Sequence, residues 1–209
     1  MPRTAPALAL VAAIVSVAVS DRGRADDWRV ELDPGRTTVR FTLGATLHDV
    51  HGTLELIGGS LSFDPQTGAA SGVVTIDATS ADTGNAKRDR DMHAKVLESG
   101  LYPEIVYSVR EVRGELPTDG AAALEIVGEV ELHGDRHPLT IAAEITIDDD
   151  GVSGSATLTV PYVEWGLKDP SKFVLRVAKT VAVEIEVAGR LMRGDAEEDS
   201  LAPGTGEPR

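Results

Sequence analysis

Apolar and polar residues alternate with a period of two along most of the chain. In residues 181–187, for example, apolar side chains occupy the odd positions, while Glu184 and Glu186 stand between them. A period of two places successive side chains on opposite faces of a β-strand, so this stretch predicts a strand with one buried and one solvated face. The same alternation recurs around residues 28–32, 39–43, 61–63, 105–109, 130–132 and 139–147.

Turn-forming residues separate these runs and define the fold class. Clusters of Asp, Pro, Gly and Thr lie at residues 33–35, 64–68, 117–120 and 149–151. Many short strands joined by such turns, without an alternating strand–helix pattern, predict an all-β antiparallel sandwich or barrel. In the run at 173–187, Lys179 would fall on the apolar face, which indicates either a β-bulge near that residue, the interpretation we prefer, or a cation at the end of the pore.

One segment, residues 83–100, has helical character instead. Met92 and Val96 are four residues apart, Asp91 and Lys95 can form an i,i+4 ion pair, and Gly100 provides a stop signal. We expect one short helix that covers an end or a seam of the β-structure. It could be a structural plug or a lid over a ligand cavity.

The two ends of the chain differ from the middle. Residues 1–25 carry Arg3, an apolar run from 5 to 19 and small residues near Ser20, which is the layout of a secretory signal peptide cleaved after Ser20 or Ala25. Residues 191–209 are acidic, contain Gly and Pro, and predict a disordered tail. The expected organisation is therefore a signal peptide (1–25), one domain (26–190) and a tail (191–209). The mature protein would be periplasmic or secreted and would not span a membrane.

The composition excludes several function classes. The chain of 209 residues has 20 Lys+Arg against 34 Asp+Glu, a net charge of −14, and no cysteine. A strongly acidic protein is a poor partner for nucleic acid, and its net charge disfavours electrostatic docking on an anionic membrane. The lack of cysteine rules out disulfides, thiolate metal sites and thiol nucleophiles.

Candidate catalytic chemistry is sparse, and we expect no catalytic residues, no bound metal and no cofactor. The chain has five histidines: His48, His51, His93, His133 and His137. His48 and His51 would point to opposite faces of a strand, whereas His133 and His137 flank a predicted hairpin and could share an ion. His93 follows Asp89 by four residues, a spacing that suits a surface or capping pair. A metal-dependent enzyme that uses these histidines remains an alternative, as does a ligand-free, stress-related interaction protein.

A set of short motifs, each weak alone, occurs in a specific order. They are Leu32-Asp33-Pro34, Val50-His51-Gly52-Thr53-Leu54, Thr83-Gly84-Asn85, Arg88-Asp89, Met92-His93, Leu132-His133-Gly134 and Trp165-Gly166-Leu167. Over residues 28–189 the chain resembles the YceI-like, polyisoprenoid-binding family of exported bacterial proteins. The resemblance implies an extended, lipocalin-like antiparallel β-barrel of about eight strands with one short helix. It also implies an interior that holds an isoprenoid or similar amphiphilic lipid.

The candidate ligand-binding residues are the apolar side chains expected to face this interior. They are Val39, Phe41, Leu43, Leu54, Leu61, Phe63, Ile76, Met92, Val96, Ile105, Tyr107, Val109, Leu158, Val160, Trp165, Phe173 and Leu175. Candidate contacts for a lipid head group are Arg36, Arg88 and His93; Arg36 stands where family members commonly carry a histidine. We predict an exported binding protein, not an enzyme, that holds a long apolar lipid for carriage or sequestration. Homodimerisation is possible.

Overall fold

The computed structural model of the protein describes residues 27–149, 151–171 and 176–194. The predicted signal peptide with its cleavage site, the candidate ligand-binding residues Phe173 and Leu175, and residues 195–209 of the predicted tail lie outside these ranges.

The described residues form nine β-strands, one α-helix and a short 3-10 helix. The strands are β1 (Trp28–Leu32), β2 (Thr38–Leu43), β3 (Val50–Phe63), β4 (Ala69–Asp82), β5 (Glu104–Arg113), β6 (Gly120–Leu132), β7 (Asp135–Ile147), β8 (Gly151–Val160) and β9 (Val181–Met192). The helix α1 (Ala86–Lys95) follows β4, and the 3-10 helix (Pro34–Arg36) lies between β1 and β2.

All neighbouring strands are antiparallel, and they close into one barrel. The order β3-β2-β9-β8-β7-β6-β5-β4 returns to β3, so the ring has no open edge. Strand β1 pairs with the same two neighbours as β2, namely β3 and β9, but further along each of them. The two short strands therefore share one of eight positions. The expected all-β barrel with one short helix is confirmed.

The first turn of the sequence does not reverse the chain. Asp33 caps the 3-10 helix by accepting a hydrogen bond from the Gly35 amide at 2.9 Å. Strand β1 pairs with residues 59–63 of β3, and β2 then continues in the same direction against residues 50–54. The turn thus interrupts one strand position of the barrel without reversing the chain. The exposed Arg36, in this turn, lies on the barrel wall between the two ends of the barrel.

One end of the barrel is closed by its own side chains. Val30, Phe63, Ile147 and Leu191 form a buried cluster there. Trp28 packs on Phe63 with ring centroids 5.9 Å apart. Because Leu191 is buried within β9, residues 191 and 192 belong to the barrel and not to the predicted tail. We call this the closed end.

The opposite end carries α1 and the loops around it, and we call it the open end. Asn85 caps α1 by accepting hydrogen bonds from the amides of Lys87 and Arg88, both at 3.1 Å. His133 and Gly134 form the two-residue turn between β6 and β7, with φ of 56° and 84°. Positive φ at both positions is the geometry of a type I′ hairpin turn, which suits Gly134. His133 therefore lies in the turn itself and does not flank it.

Two features of the strands were not predicted from the sequence. Strand β9 begins at Val181, and Lys179 is an exposed residue in the bend before it, so the predicted bulge at Lys179 is wrong. Strands β7 and β8 pair only from Ala143–Ile147 against Val152–Ala156. Towards the open end they separate, although β7 stays paired with β6 along its whole length. This separation leaves a seam in the wall.

Candidate ligand cavity

The barrel encloses a cavity of about 1110 Å³. Side chains from all nine strands line it, and most of them are Val, Leu, Ile or Ala. Cavities that bind small molecules usually measure about 300–1,000 Å³ and are predominantly apolar. The interior is therefore large enough for an elongated apolar molecule.

The structure places the predicted ligand-binding residues in this cavity wherever it describes them. Fifteen of them line it: Val39, Phe41, Leu43, Leu54, Leu61, Phe63, Ile76, Met92, Val96, Ile105, Tyr107, Val109, Leu158, Val160 and Trp165. Those on strands share the inward phase of the two-residue period, whereas Met92 and Val96 come from the α1 region and Trp165 from the segment after β8.

Other lining residues were missed by the sequence-based selection. Further large apolar residues come from the inward phase of β4, β6, β7 and β9: Val74, Ile126, Leu139, Ile141, Ile145 and Ile185. The period-two signal was available for these. Gly154 and Ala156 of β8 also line the cavity, and their small size gave no hydrophobic signal.

Tyr107 is an inward-facing aromatic residue with a polar group, and the barrel wall supplies the hydrogen-bond acceptors for its hydroxyl. Its hydroxyl lies 2.7 Å from the Ile126 carbonyl oxygen and 3.1 Å from the Leu139 carbonyl oxygen, so its single proton is shared between these two acceptors. Burial raises the pKa of Tyr107 to about 12 because the phenolate would lose its hydration. The ring is thus held against β6 and β7.

All charged residues of the cavity lining lie at the open end. They are His48, Asp49, Lys87, Arg88, Asp91, Lys95, Lys168 and Asp169. An apolar barrel with a polar rim at one end suits an amphiphilic molecule whose chain lies inside and whose polar group stays at the mouth.

Arg88 is the one head-group candidate that lines the cavity. Its guanidinium donates to the Thr83 hydroxyl at 2.7 Å and to the Thr83 carbonyl at 2.9 Å. The same hydroxyl donates to Asp89, and this hydrogen bond is the main cause of a lowered pKa for the Asp89 carboxyl. Arg88 therefore fixes the start of α1 on the rim, with part of its hydrogen-bonding capacity already used.

The other two head-group candidates lie elsewhere. Arg36 is exposed on the wall, away from the mouth, and the cavity lining does not include it. The His93 ring bridges α1 to the barrel, with Nδ1 2.8 Å from the buried Ser99 hydroxyl and Nε2 2.9 Å from the Ala81 carbonyl. These contacts hold α1 against the barrel, and His93, like Arg36, does not line the cavity.

The histidines do not converge on a common centre. His133 Nε2 lies 2.7 Å from a Glu98 carboxylate oxygen, and its ring contacts Tyr102. His137, across the seam from β8, stacks on Trp165 with ring centroids 4.4 Å apart and planes 2° apart. His133 and His137 thus have separate partners, which contradicts the shared ion site. Within the described ranges, no group of three or more His, Asp or Glu side chains could hold a metal ion.

His137 is unusual in a second respect. Its Nε2 atom is buried and, among the residues that the structure describes, has no hydrogen-bond partner. Trp165 comes from the segment after β8, which crosses the open end beside the seam and is anchored by Tyr162. The Tyr162 hydroxyl donates to the Ala178 carbonyl at 2.8 Å, and burial together with the nearby Asp169 raises its pKa to about 12.

The family model for the YceI-like domain matches residues 30–189, which include β2 to β8 completely and most of β1 and β9. The chain belongs to the YceI-like family. A UPF0312 protein of Vibrio cholerae is 27% identical over 193 residues, covering 90% of this chain and 98% of that protein. Protein YceI of Escherichia coli O157:H7 is 30% identical over 124 residues, covering 58% of this chain and 62% of the relative.

Solved structures share the fold of this YceI-like chain. Burkholderia cenocepacia BcnA superposes with a TM-score of 0.64 at 16% identity, covering 75% of this chain and 98% of BcnA. A polyisoprenoid-binding domain from Saccharophagus degradans gives a TM-score of 0.57 at 15% identity, covering 77% and 97%. In the part of the chain that the structure describes, no helix has the length and apolar character needed to cross a bilayer.

Proposed function

We propose that this YceI-like protein is an exported binding protein that holds a long apolar lipid of the polyisoprenoid type for carriage or sequestration. The observation that carries the proposal is the apolar cavity of about 1110 Å³ with charged residues at one end only. The Saccharophagus degradans neighbour is a polyisoprenoid-binding domain, which supports the same class of ligand. The signal-peptide layout of residues 1–25 supports export.

The cavity can bind such a chain without specific polar contacts. Each CH₂ group removed from water contributes about 0.8 kcal/mol, so a five-carbon isoprene unit contributes up to a few kcal/mol before its ordering is counted. The protein's carboxylates do not oppose this binding where they face solvent on the outer wall. Glu129, Glu131 and Glu186 are examples, each paired with an arginine.

We further propose binding without catalysis. Several charged groups of the rim engage one another or the backbone, as in the Lys95–Asp91 pair and the hydrogen bond from the Ser171 amide to Asp169 at 2.8 Å. Among the described lining residues, the Ser171 hydroxyl contacts the Asp169 carboxylate and lowers its pKa, but no hydroxyl of the lining is hydrogen-bonded to a histidine, as the nucleophile of a Ser-His-Asp type hydrolase is.

Native mass spectrometry of protein purified without detergent tests ligand and export together. We expect a mass excess that organic extraction removes and identifies as a prenyl lipid, on a polypeptide that starts after Ser20 or Ala25. A polypeptide that retains residue 1 would contradict export. Ligand-free protein that also takes up no added prenyl lipid would contradict lipid binding.

A matched pair of variants on β8 tests whether the cavity is the binding site. Ala156 lines the cavity, whereas the adjacent Thr157 is exposed on the outer wall. Ala156→Phe fills the interior and should weaken binding of a fluorescent prenyl lipid at least tenfold, or about 1.4 kcal/mol. Thr157→Phe adds the same ring outside and should bind like the wild type. Equal affinities for the two variants would place the site elsewhere.

A further inference from the structure

The exposed surface of α1 is basic, in contrast to the rest of this acidic chain. The exposed side chains of the helix include Lys87, Arg88, Arg90 and Lys95. Its two aspartates are less exposed and engaged: Asp89 accepts hydrogen bonds from Thr83, and Asp91 pairs with Lys95. In the described part of the chain, neither the Lys87 ammonium nor the Arg90 guanidinium has an ion-pair partner within 4.0 Å.

Two exposed leucines lie at the same end of the barrel as this helix. Leu47, in the β2–β3 loop, is 69% exposed, and Leu101, between α1 and β5, is 74% exposed. They are more exposed than the other large apolar residues of the described surface, Ile57 at 51% and Val73 at 46%, which lie on the barrel wall. Leu47 also lines the mouth of the cavity.

The net charge of −14 belongs to the whole chain and does not determine the electrostatic potential at the open end. Electrostatic interactions are screened over about 8–10 Å at physiological salt. A strand as long as β3, with 14 residues, extends over roughly 45 Å along its own direction, so the closed end lies several screening lengths from a surface in contact with the open end.

Several acidic groups at the open end are held by neighbouring groups of the protein, while the exposed Glu104, Asp135 and Glu164 lie on elements other than α1. Asp82 accepts a hydrogen bond from the Gly84 amide at 2.7 Å, and Glu98 pairs with His133 at 2.7 Å. Asp169 is bonded to Ser171, and Asp49 accepts from the Ala45 amide at 3.4 Å. These contacts orient the carboxylates towards the protein, whereas Lys87 and Arg90 of α1 are exposed to solvent.

We propose that the open end is a docking surface for a bilayer with anionic head groups. Leu47 and Leu101 enter the interface, and the cations of α1 face the lipid phosphates. The apolar cavity then opens directly towards the acyl region, so that a lipid chain can pass between bilayer and barrel with little exposure to water. Docking extends the proposed function but does not depend on which lipid is carried.

Vesicle flotation tests the electrostatic part of the proposal. Wild-type protein is mixed with vesicles of phosphatidylcholine alone or with added phosphatidylglycerol, at low and at physiological salt. We expect binding only to the anionic vesicles and weaker binding at higher salt. Because each cation near such a surface contributes roughly fivefold to binding, Lys87→Glu/Arg90→Glu should reduce it at least tenfold.

The control pair makes the same charge change on the barrel wall. Arg29 and Arg190 are exposed on β1 and β9, away from the open end. Arg29→Glu/Arg190→Glu should bind anionic vesicles nearly as well as the wild type. Equal losses in the two pairs, or no binding of the wild type to anionic vesicles, would overturn the proposal; in the latter case the basic helix would be open to an acidic protein partner.

A second pair tests insertion of the leucines. Leu47→Gln/Leu101→Gln should weaken vesicle binding severalfold, whereas Ile57→Gln/Val73→Gln, which removes exposed apolar groups from the wall, should leave it unchanged. The Ala156→Phe variant separates the two proposals. If it docks but no longer binds prenyl lipid, docking is independent of the cargo; if wild-type protein binds prenyl lipid but does not dock, only the docking proposal fails.

Discussion

Tyr107 shows how a single inward side chain helps to keep the cavity open. Its ring is fixed by hydrogen bonds to the carbonyls of Ile126 and Leu139, on two neighbouring strands. Tyr107→Phe keeps the ring but removes these bonds. We expect the free energy of unfolding at neutral pH to fall by about 1 kcal/mol, measured by urea denaturation.

The same variant should change the alkaline limit of stability. The pKa of Tyr107 is raised to about 12 in the folded protein, against 10.0 for the free side chain. The unfolded chain therefore loses this proton first, and its contribution to stability is constant below pH 10 and falls between pH 10 and 12. Tyr107→Phe should show a shallower fall over that range. An unchanged slope would mean that Tyr107 does not ionise on unfolding.

Positions facing the interior could be predicted at the level of single residues, because a strand repeats every two residues whatever its neighbours are. Phe41 and Ile105 were assigned correctly on that basis alone. The partners of His133 and His137 could not be predicted, since each partner lies on a distant segment that only the closed barrel brings near. Their spacing along the chain indicated that His133 and His137 could share a site. In the fold, His133 contacts Glu98 and His137 stacks on Trp165.

The helix α1 is the element that covers the rim of the cavity, and its stability depends on its first turn. Asn85 satisfies two amides that the helix itself cannot. Asn85→Ala should cost about 1 kcal/mol of local helix stability. Because α1 lines the mouth through Arg88 and Met92, we expect faster release of a bound fluorescent prenyl lipid, measured by stopped-flow transfer to acceptor vesicles.

The control for this effect is a change on the same helix that leaves the cap intact. Ala94 is exposed near the end of α1, and Ala94→Ser has a small helix-propensity cost. Its release rate should stay close to that of the wild type. Equal release rates for Asn85→Ala and the wild type would show that lipid leaves by another route, for which the seam between β7 and β8 is the available place.

Connections between elements were harder to predict than the elements. Asp33-Pro34-Gly35 has the composition of a chain-reversing turn, but the same residues also cap a 3-10 helix, and only the pairing with β3 and β9 decides between the two. The seam between β7 and β8 had no signal either. Small and polar residues in β8 support pairing as well as separation, and the geometry of the closed ring determines where the pairing stops.

At the scale of the whole molecule, the two ends of the barrel differ in their expected roles: the closed end contributes to stability and the open end to ligand exchange. The closed end is tied together by Arg193, whose guanidinium lies 5.2 Å from the centre of the Trp28 ring. It also donates to the carbonyls of Thr118 at 2.7 Å and Asp148 at 3.3 Å, and to that of Asp149. One side chain thus joins the first strand, two loops and the last strand.

We therefore expect Arg193→Ala to affect stability and not ligand exchange, the reverse of Asn85→Ala. The free energy of unfolding should fall by about 1 kcal/mol, which lowers Tm by roughly 3 °C for a domain of this size. Arg190→Ala, at an exposed position near the end of β9, should change Tm by much less. The rate of prenyl-lipid release should be the same in the wild type, Arg193→Ala and Arg190→Ala. Faster release from Arg193→Ala at unchanged Tm would mean that the chain passes through the end we regard as closed, and the assignment of the two ends would have to be exchanged.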